Sequence, residues 1–311
     1  MRRIVKTLIL AFLASASVAQ AQENSREYYL RTYERLSEKV GPSGVGVETI
    51  LDRWQADYPE DVEPVLDHFL YYYSKSQTKQ VIVKKEKRHL GNEPVLSLAD
   101  SLGNVSYYFD DLVFDDTLFG EALGWIDKAV RMEPDRIDLR FYKVAALTGY
   151  EKEQPQLALA EILSLIDYHV AVNPPWKHPS YGVDQDFFNS AVQEYCYLFF
   201  RYGSPAGYDA FRKISERMNR YYPDNTVFLD NLGSYYFVAA KDNKTALKYY
   251  GKVLKIKPSD LTAIKSCILL YRREGNHKME RKYLEMLSVH GENETERQSA
   301  RVRMEALGAK K

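Results

Sequence analysis

A helical-repeat pattern at residues 226–260 restricts the fold of this chain more than any other feature of its sequence. The pattern has the spacing of two helices that pack on each other, with Leu229, Leu232, Gly233 and Tyr236 in the first, then Ala246, Tyr250 and the exit residue Pro258. The small residues at 233 and 246 allow a close approach, and the tyrosines fill the space around them. Because one pair buries only one of its sides, it must stack on neighbouring pairs.

The pattern continues on both sides of this segment. Downstream, the first-helix spacing recurs at Ile264, Cys267, Ile268 and Tyr271. Upstream, the second-helix spacing and its exit proline recur at Ala122, Ala129 and Pro134. Joints in which Asp, Asn or Ser follows a proline occur at 59–61, 134–136, 223–225 and 258–260. Proline ends one helix and the polar residue caps the next, so the sequence predicts an array of helix pairs.

These residues and spacings resemble the tetratricopeptide repeat family. The resemblance is closest over 226–290, looser over 107–225, faint over 22–75 and absent over 75–106. It implies an all-α fold, a right-handed superhelical solenoid of helix pairs with a small extended or β insertion near 78–103. In that family the concave face is lined by first helices, and peptides or partner proteins bind there.

On this resemblance, the outward faces of the last two first helices carry candidate partner-binding residues: Asp230, Ser234 and Phe237, then Lys265, Leu269 and Arg272. Chaperone adaptors of the family clamp a C-terminal carboxylate with Lys and Asn at such positions. Asp230 and Ser234 do not match that clamp, which argues against binding of chaperone tails. A merely solvated groove is the alternative interpretation.

The chain divides into five predicted segments. Residues 1–21 combine a basic start, an apolar run and the small-x-small site Ala19-Gln20-Ala21, which indicate a secretory signal peptide. Four segments follow: an N-terminal helical region at 22–75, an extended insertion at 76–106, the solenoid at 107–291, and a capping helix with tail at 292–311. No later apolar run reaches the length of a membrane span. The mature protein is therefore expected to be exported, periplasmic or extracellular, without a transmembrane segment.

The insertion is predicted from the aliphatic run at 81–83 and the alternating aliphatic residues at 95–98, and a hairpin is one arrangement of it. The following segment YYFDDLVFDD is interpreted as a helix and then the cap of a helix that starts near Thr117. The basic run at 84–89 favours a solvated hairpin tip or a protected strand edge over contact with an anionic surface.

The proline-rich connector at 173–186 presents the other candidate site. Trp176 and Tyr181 lie in a stiff loop that could hold both rings outward for a glycan or a peptide. A packed crossover is the alternative. The chain contains 25 tyrosines, and most of them fall at core positions of the repeats.

The sequence contains no catalytic pattern. Basic and acidic residues balance at 43 each, which gives no indication of nucleic-acid binding. The six histidines lack metal-ligand spacing, and there is no phosphate-binding glycine loop. We therefore expect no enzyme activity, no cofactor and no metal. Cys196 and Cys267 lie in apolar helical patterns and are expected to be buried free thiols, although export would permit a disulfide.

Together these features resemble an exported bacterial member of the tetratricopeptide repeat family. The leading hypothesis is a non-enzymatic scaffold that binds a protein or peptide partner. The alternative is a glycan-binding or cell-wall accessory protein of the envelope.

Overall fold

The computed structural model describes residues 26–308, which form mostly helices and one small antiparallel sheet. The signal peptide predicted at 1–21 and the last residues of the tail, 309–311, lie outside the described residues. Contacts divide the chain into two compact units. The first contains residues 26–87, 93–150 and 175–182, and the second contains 88–92, 151–174 and 183–308.

The first unit combines helices with the sheet. Its elements are the helical residues 26–40 (α1), α2 (Val47–Asp57), α3 (Val62–Lys75), β1 (Gln77–Lys84), β2 (Leu96–Ala99), β3 (Val105–Phe114), α4 (Asp116–Met132) and α5 (Ile137–Glu151), which ends at the boundary. Trp54 is at the centre of its N-terminal core, with Leu51 and Tyr71. The indole Nε1 of Trp54 donates to Asp61 Oδ2 at 3.0 Å, so a buried polar group is satisfied where α3 begins.

The second unit is helical apart from its connections. Its helices are α6 (Gln156–Val172), α7 (Gln185–Tyr202), α8 (Pro205–Tyr221), α9 (Thr226–Val238), α10 (Asn243–Ile256), α11 (Leu261–Arg273), α12 (His277–His290) and α13 (Glu294–Gly308). Short loops join α9 to α10 and α11 to α12, and each of these pairs is antiparallel. Their shared core includes Leu229, Ala246, Tyr250, Ile264 and Cys267.

The predicted helix starts at three of the proline joints are confirmed. Asp61 accepts a hydrogen bond from the N–H of Glu63 and caps α3. Asn225 accepts from Val227 at the start of α9, and Asp260 accepts from Ala263 at the start of α11. These side chains satisfy N–H groups that the first helical turn leaves without partners.

The prediction of a helix within YYFDDLVFDD is wrong, because this segment forms most of β3. The extended region consequently runs from Gln77 to Phe114 and does not end at 106. β3 is the central strand of a sheet with the order β1-β3-β2 and pairs with β1 from Gln77↔Phe114 to Lys84↔Tyr107. Its aromatic and β-branched residues suit a strand once the Val-rich β1 is present to pair with it. The cap was correctly predicted, since Asp115 accepts from Leu118 at the start of α4.

A tight turn joins β2 to β3 and makes these two strands a hairpin. The Asp100 carboxylate accepts from the backbone N–H groups of Leu102 and Asn104 at 2.9 and 2.8 Å. Gly103 has φ of +84°, a conformation that favours glycine. The sheet therefore has one short edge, β2, and one long edge, β1.

The two cysteines are buried and form no disulfide. Cys196 Sγ lies 3.9 Å from Ser215 Oγ, and Cys267 belongs to the core of the α9–α12 pairs. Burial raises the pKa of each thiol to about 12, so both remain protonated at neutral pH. Within residues 26–308, no helix is both long and apolar enough to cross a membrane.

Candidate functional site

α9 and α10 approach each other closely at Gly233. A Cβ placed on this glycine would lie 2.6 Å from Cε1 of Tyr250, closer than such atoms can approach. Ala246 and Tyr250 on α10 are buried against α9, where Leu229 and Leu232 are also buried. The Tyr250 hydroxyl lies 3.2 Å from Ser234 Oγ. Upstream, Ala122 and Ala129 are buried on α4, and Pro134 and Pro258 are exposed.

The same tyrosine stack occurs in both consecutive helix pairs. Tyr236 on α9 stacks on Tyr249 of α10, with ring centroids 5.6 Å apart and an interplanar angle of 10°. Tyr271 on α11 stacks on Tyr283 of α12, at 5.7 Å and 13°. The helices also correspond in length, since α9 and α11 have 13 residues and α10 and α12 have 14. The two pairs therefore repeat one packing arrangement.

The predicted outward face of α9 is largely covered. Asp230 is only 8% exposed, so the expectation that it faces outward is wrong. Ser234 is half-buried and contacts Tyr250, and the ring of Phe237 is half-buried under the guanidinium of Arg273 at 5.1 Å. Asp230 is covered because α11 begins beside it, at Asp260.

Asp230 and Asp260 form a buried pair of carboxyl groups. No donor among residues 26–308 reaches Oδ1 of Asp230. Burial and the adjacent Asp260 carboxylate raise the pKa of Asp230 to about 8. Asp260 accepts from the Ala263 N–H at 3.2 Å and pairs with Lys257 Nζ at 3.1 Å. We therefore place the proton on Asp230, whose protonated carboxyl group donates a hydrogen bond to Asp260 at neutral pH.

The basic residues predicted on α11 are held in ion pairs with the helices that follow. Lys265 Nζ lies 2.6 Å from Glu296 Oε1 of α13, and Arg272 Nε lies 2.8 Å from Glu280 Oε1 of α12. Leu269, between them, is 38% exposed and is the apolar residue that this face presents to solvent. The predicted residues of α11 thus share one face, but its charges are already engaged.

Glu280 is a buried charged residue that the sequence analysis did not identify. Its side chain is fully buried, and it accepts from Arg272 and from Arg303 Nε at 2.9 Å. Burial opposes its ionisation, but Arg303 and Arg272 outweigh burial and lower the pKa of Glu280. The cluster joins α11, α12 and α13 through one carboxylate, which is a structural role.

The two candidate residues of the proline-rich connector, Trp176 and Tyr181, differ in how far they are exposed to solvent. Trp176 is half-buried, and the guanidinium of Arg140 lies 5.6 Å from its ring centroid. The backbone of Lys177 pairs with residues 135–137, where α5 begins, since its N–H donates to Asp135 O at 2.8 Å and its carbonyl accepts from the Ile137 N–H. Tyr181 is 64% exposed and contacts His178, with ring centroids 4.8 Å apart. The loop is partly a packed crossover, and Tyr181 is its outward-facing ring.

Exposed aliphatic side chains on the sheet form a surface that the repeat pattern did not reveal. Val81 and Val83 on β1 are 59% and 53% exposed, and Leu96 and Leu98 on β2 are also exposed. The register places Val83, Tyr108 and Leu96 in one row across the three strands. The alternating aliphatic pattern was the sequence signal for these residues, but alternation alone does not tell which face is covered.

No group of three or more His, Cys, Asp or Glu side chains among the described residues is arranged to hold a metal ion. His68, which is buried, stacks on Trp125 with ring centroids 4.1 Å apart. Burial lowers the pKa of His68.

Comparison with known proteins identifies no family for the chain. No protein-family model matches it, and no curated protein does. Among solved structures, it is similar to "MamA 41-end from Desulfovibrio magneticus RS-1", at 14% sequence identity and a TM-score of 0.33. The match covers 76% of this chain and 97% of that one.

Proposed function

We propose that the chain is an exported, non-enzymatic helical-repeat scaffold of the tetratricopeptide type that binds a protein or peptide partner. The observation that carries this proposal is the repeated Tyr236–Tyr249 and Tyr271–Tyr283 stack in consecutive pairs of equal length. Pairs that repeat one packing arrangement stack into a solenoid, which is a form suited to binding extended partners. The basic start, apolar run and cleavage site of residues 1–21 support export.

The partner-binding face that the proposal favours is on α11, around Leu269. An exposed aliphatic residue between the ion-paired Lys265 and Arg272 provides an apolar contact with a polar rim. Asp230 does not belong to this face because it is buried.

Affinity purification from the envelope fraction of the native host tests this function. The wild type is expected to retain a specific protein partner, and Leu269→Glu is expected to lose it, because a charge replaces the apolar contact. Val289→Glu is the matched control, since Val289 is also exposed but lies near the end of α12. Absence of the protein from both the envelope fraction and the culture medium would contradict export. Equal recovery of the partner with Leu269→Glu would contradict the assignment of this face.

Glycan binding is a second candidate function, and the exposure of Tyr181 favours it. An exposed aromatic ring can stack on the apolar face of a sugar. If the connector is a glycan site, an array of envelope glycans should detect binding that Tyr181→Ala abolishes and Trp176→Ala weakens. Tyr197→Ala is the control, because Tyr197 is an exposed tyrosine on α7. An array without signal for the wild type would rule out this candidate.

A further inference from the structure

The outer edge of β1 is open and is the longer of the two edges of the sheet, with 8 residues against 4 in β2. Its inner edge pairs with β3 along all eight residues, Gln77–Lys84. Among residues 26–308, no strand pairs with its outer edge. The residues from Thr78 to Val81 are all exposed. Such an edge offers backbone N–H and C=O groups in the spacing that another strand requires.

The centre of β1 lacks the usual protection of an edge strand. Natural edges are shortened, bulged, or interrupted by proline or charge. β2, the other edge, is protected by its length of four residues. In β1, the run Gln80-Val81-Ile82-Val83 carries no charge and no proline, and both valines are more than half exposed. An added strand would cover these valines as well as the backbone edge.

The strand that already pairs with β1 shows which chemistry suits it. β1 and the three residues that follow it, 77–87, are basic, with lysines at 79, 84, 85 and 87 against one glutamate at 86. Its partner β3 is acidic and apolar, and Asp110 and Asp111 lie opposite Val81 and Gln80. Gln80 Nε2 donates to Asp111 Oδ2 at 3.3 Å. An acidic strand with alternating apolar residues therefore matches β1 in charge and in shape.

We propose that the outer edge of β1 binds an extended acidic segment of a partner protein as a fourth strand of the sheet. Backbone hydrogen bonds supply the affinity in such strand addition, and side chains supply the specificity. The edge lies outside the helix pairs that carry the proposed scaffold function, so either proposal can fail without the other.

A second copy of β1 is a poor occupant of the same edge. Antiparallel pairing of two β1 strands centred on Ile82 would place Lys79 of each copy opposite Lys85 of the other. Like charges directly opposite each other destabilise a strand pair. The lysines thus disfavour pairing with a second copy of β1, and the same lysines favour pairing with an acidic strand.

A labelled synthetic peptide with the sequence of β3, residues 105–114, is a suitable probe for the full mature protein. We expect binding, with slower amide hydrogen exchange at residues 77–84 and unchanged exchange at 105–114. A peptide with lysine in place of both aspartates should bind at least about tenfold more weakly. Equal binding of the two peptides, or no protection of β1, would overturn the proposal. Faster exchange at 105–114 would mean that the peptide replaces β3, and would also overturn it.

Charge reversal on the protein gives an independent test. The triple variant Lys79→Glu, Lys85→Glu, Lys87→Glu should weaken binding of the acidic peptide by at least about tenfold. Its matched control reverses three exposed lysines of α10, at 244, 248 and 255, and should change binding by less than about twofold. Equal loss in both variants would show a non-specific charge effect and contradict the site. Two other results would also contradict the proposal. If the protein binds anionic lipid vesicles through β1 more strongly than it binds the peptide, the edge binds a lipid surface. If the protein dimerises through β1, the edge binds a second copy of the chain.

Discussion

Asp230→Asn is expected to stabilise the protein at pH 8, with little effect near pH 4. The pKa of Asp230 is raised to about 8 in the folded protein, whereas an unfolded aspartate has a pKa of about 3.9. Between these values the folded chain holds a proton that the unfolded chain has released. The stability of the wild type therefore falls as the pH rises through this window. Asparagine has no proton to lose, and its amide can donate to Asp260 at every pH.

The expected gain grows with pH and is at most about 6 kcal/mol above pH 8, because each unit of pKa difference between the folded and unfolded states corresponds to about 1.4 kcal/mol. Thermal unfolding between about pH 4 and pH 9 measures it. Asp224→Asn removes the same charge from an exposed aspartate near the start of α9 and is the matched control. Equal pH profiles for Asp230→Asn and the wild type would show that Asp230 is ionised in the folded state.

Gly233→Ala is expected to lower the free energy of unfolding by about 1–3 kcal/mol. The new Cβ would lie 2.6 Å from Cε1 and 2.8 Å from Cζ of Tyr250, so the ring or the helix must move. Tyr250 is almost completely buried and has little room to turn away. The stability lost to this steric clash exceeds the stability of up to about 1 kcal/mol that alanine gains over glycine in a helix interior.

Gly251→Ala provides the control within the same helix pair. A Cβ on Gly251 meets no atom within 4 Å, so only the helix propensity should act. This variant is expected to gain about 0.5–1 kcal/mol. Chemical denaturation of the two variants should show changes of opposite sign. A Gly233→Ala variant as stable as Gly251→Ala would mean that the contact between α9 and α10 is not tight.

Local sequence signals predicted the joints and pairs of the helical region. The caps at Asp61, Asn225 and Asp260 depend on the few residues next to them, and the structure shows each of them bonded to its own helix. The small residue at 233 and the ring at 250 likewise belong to one helix pair. Such features depend on short-range geometry, which a single sequence contains.

The strand β3 could not be predicted because its partner is distant in the sequence. The segment around Phe109 and Asp110 alternates apolar and polar residues weakly and is compatible with either a helix or a strand. The contact that decides between them is with β1, which lies about 30 residues earlier, as the Gln80–Asp111 bond shows. Tertiary pairing outweighs local preference in such segments.

The exposure of the candidate binding residues depended on helices whose positions the repeat pattern does not specify. Asp230 has the position of an outward residue in an isolated helix pair, but the start of α11 covers it. Lys265 and Arg272 find Glu296 and Glu280 on later helices. Glu280 occupies the place in α12 that the small Ala246 occupies in α10, and two arginines make this charged replacement possible.

The interleaving of the two compact units along the chain affects the order in which they can be completed during synthesis. The first unit includes residues 175–182, whose backbone pairs with residues 135–137, while the intervening residues 151–174 belong to the second unit. On a ribosome, the first unit therefore waits for α6 and the connector to emerge before its last contacts form. A fragment that ends at residue 150 would lack these contacts, so a dissection of the protein should keep the first unit through residue 182.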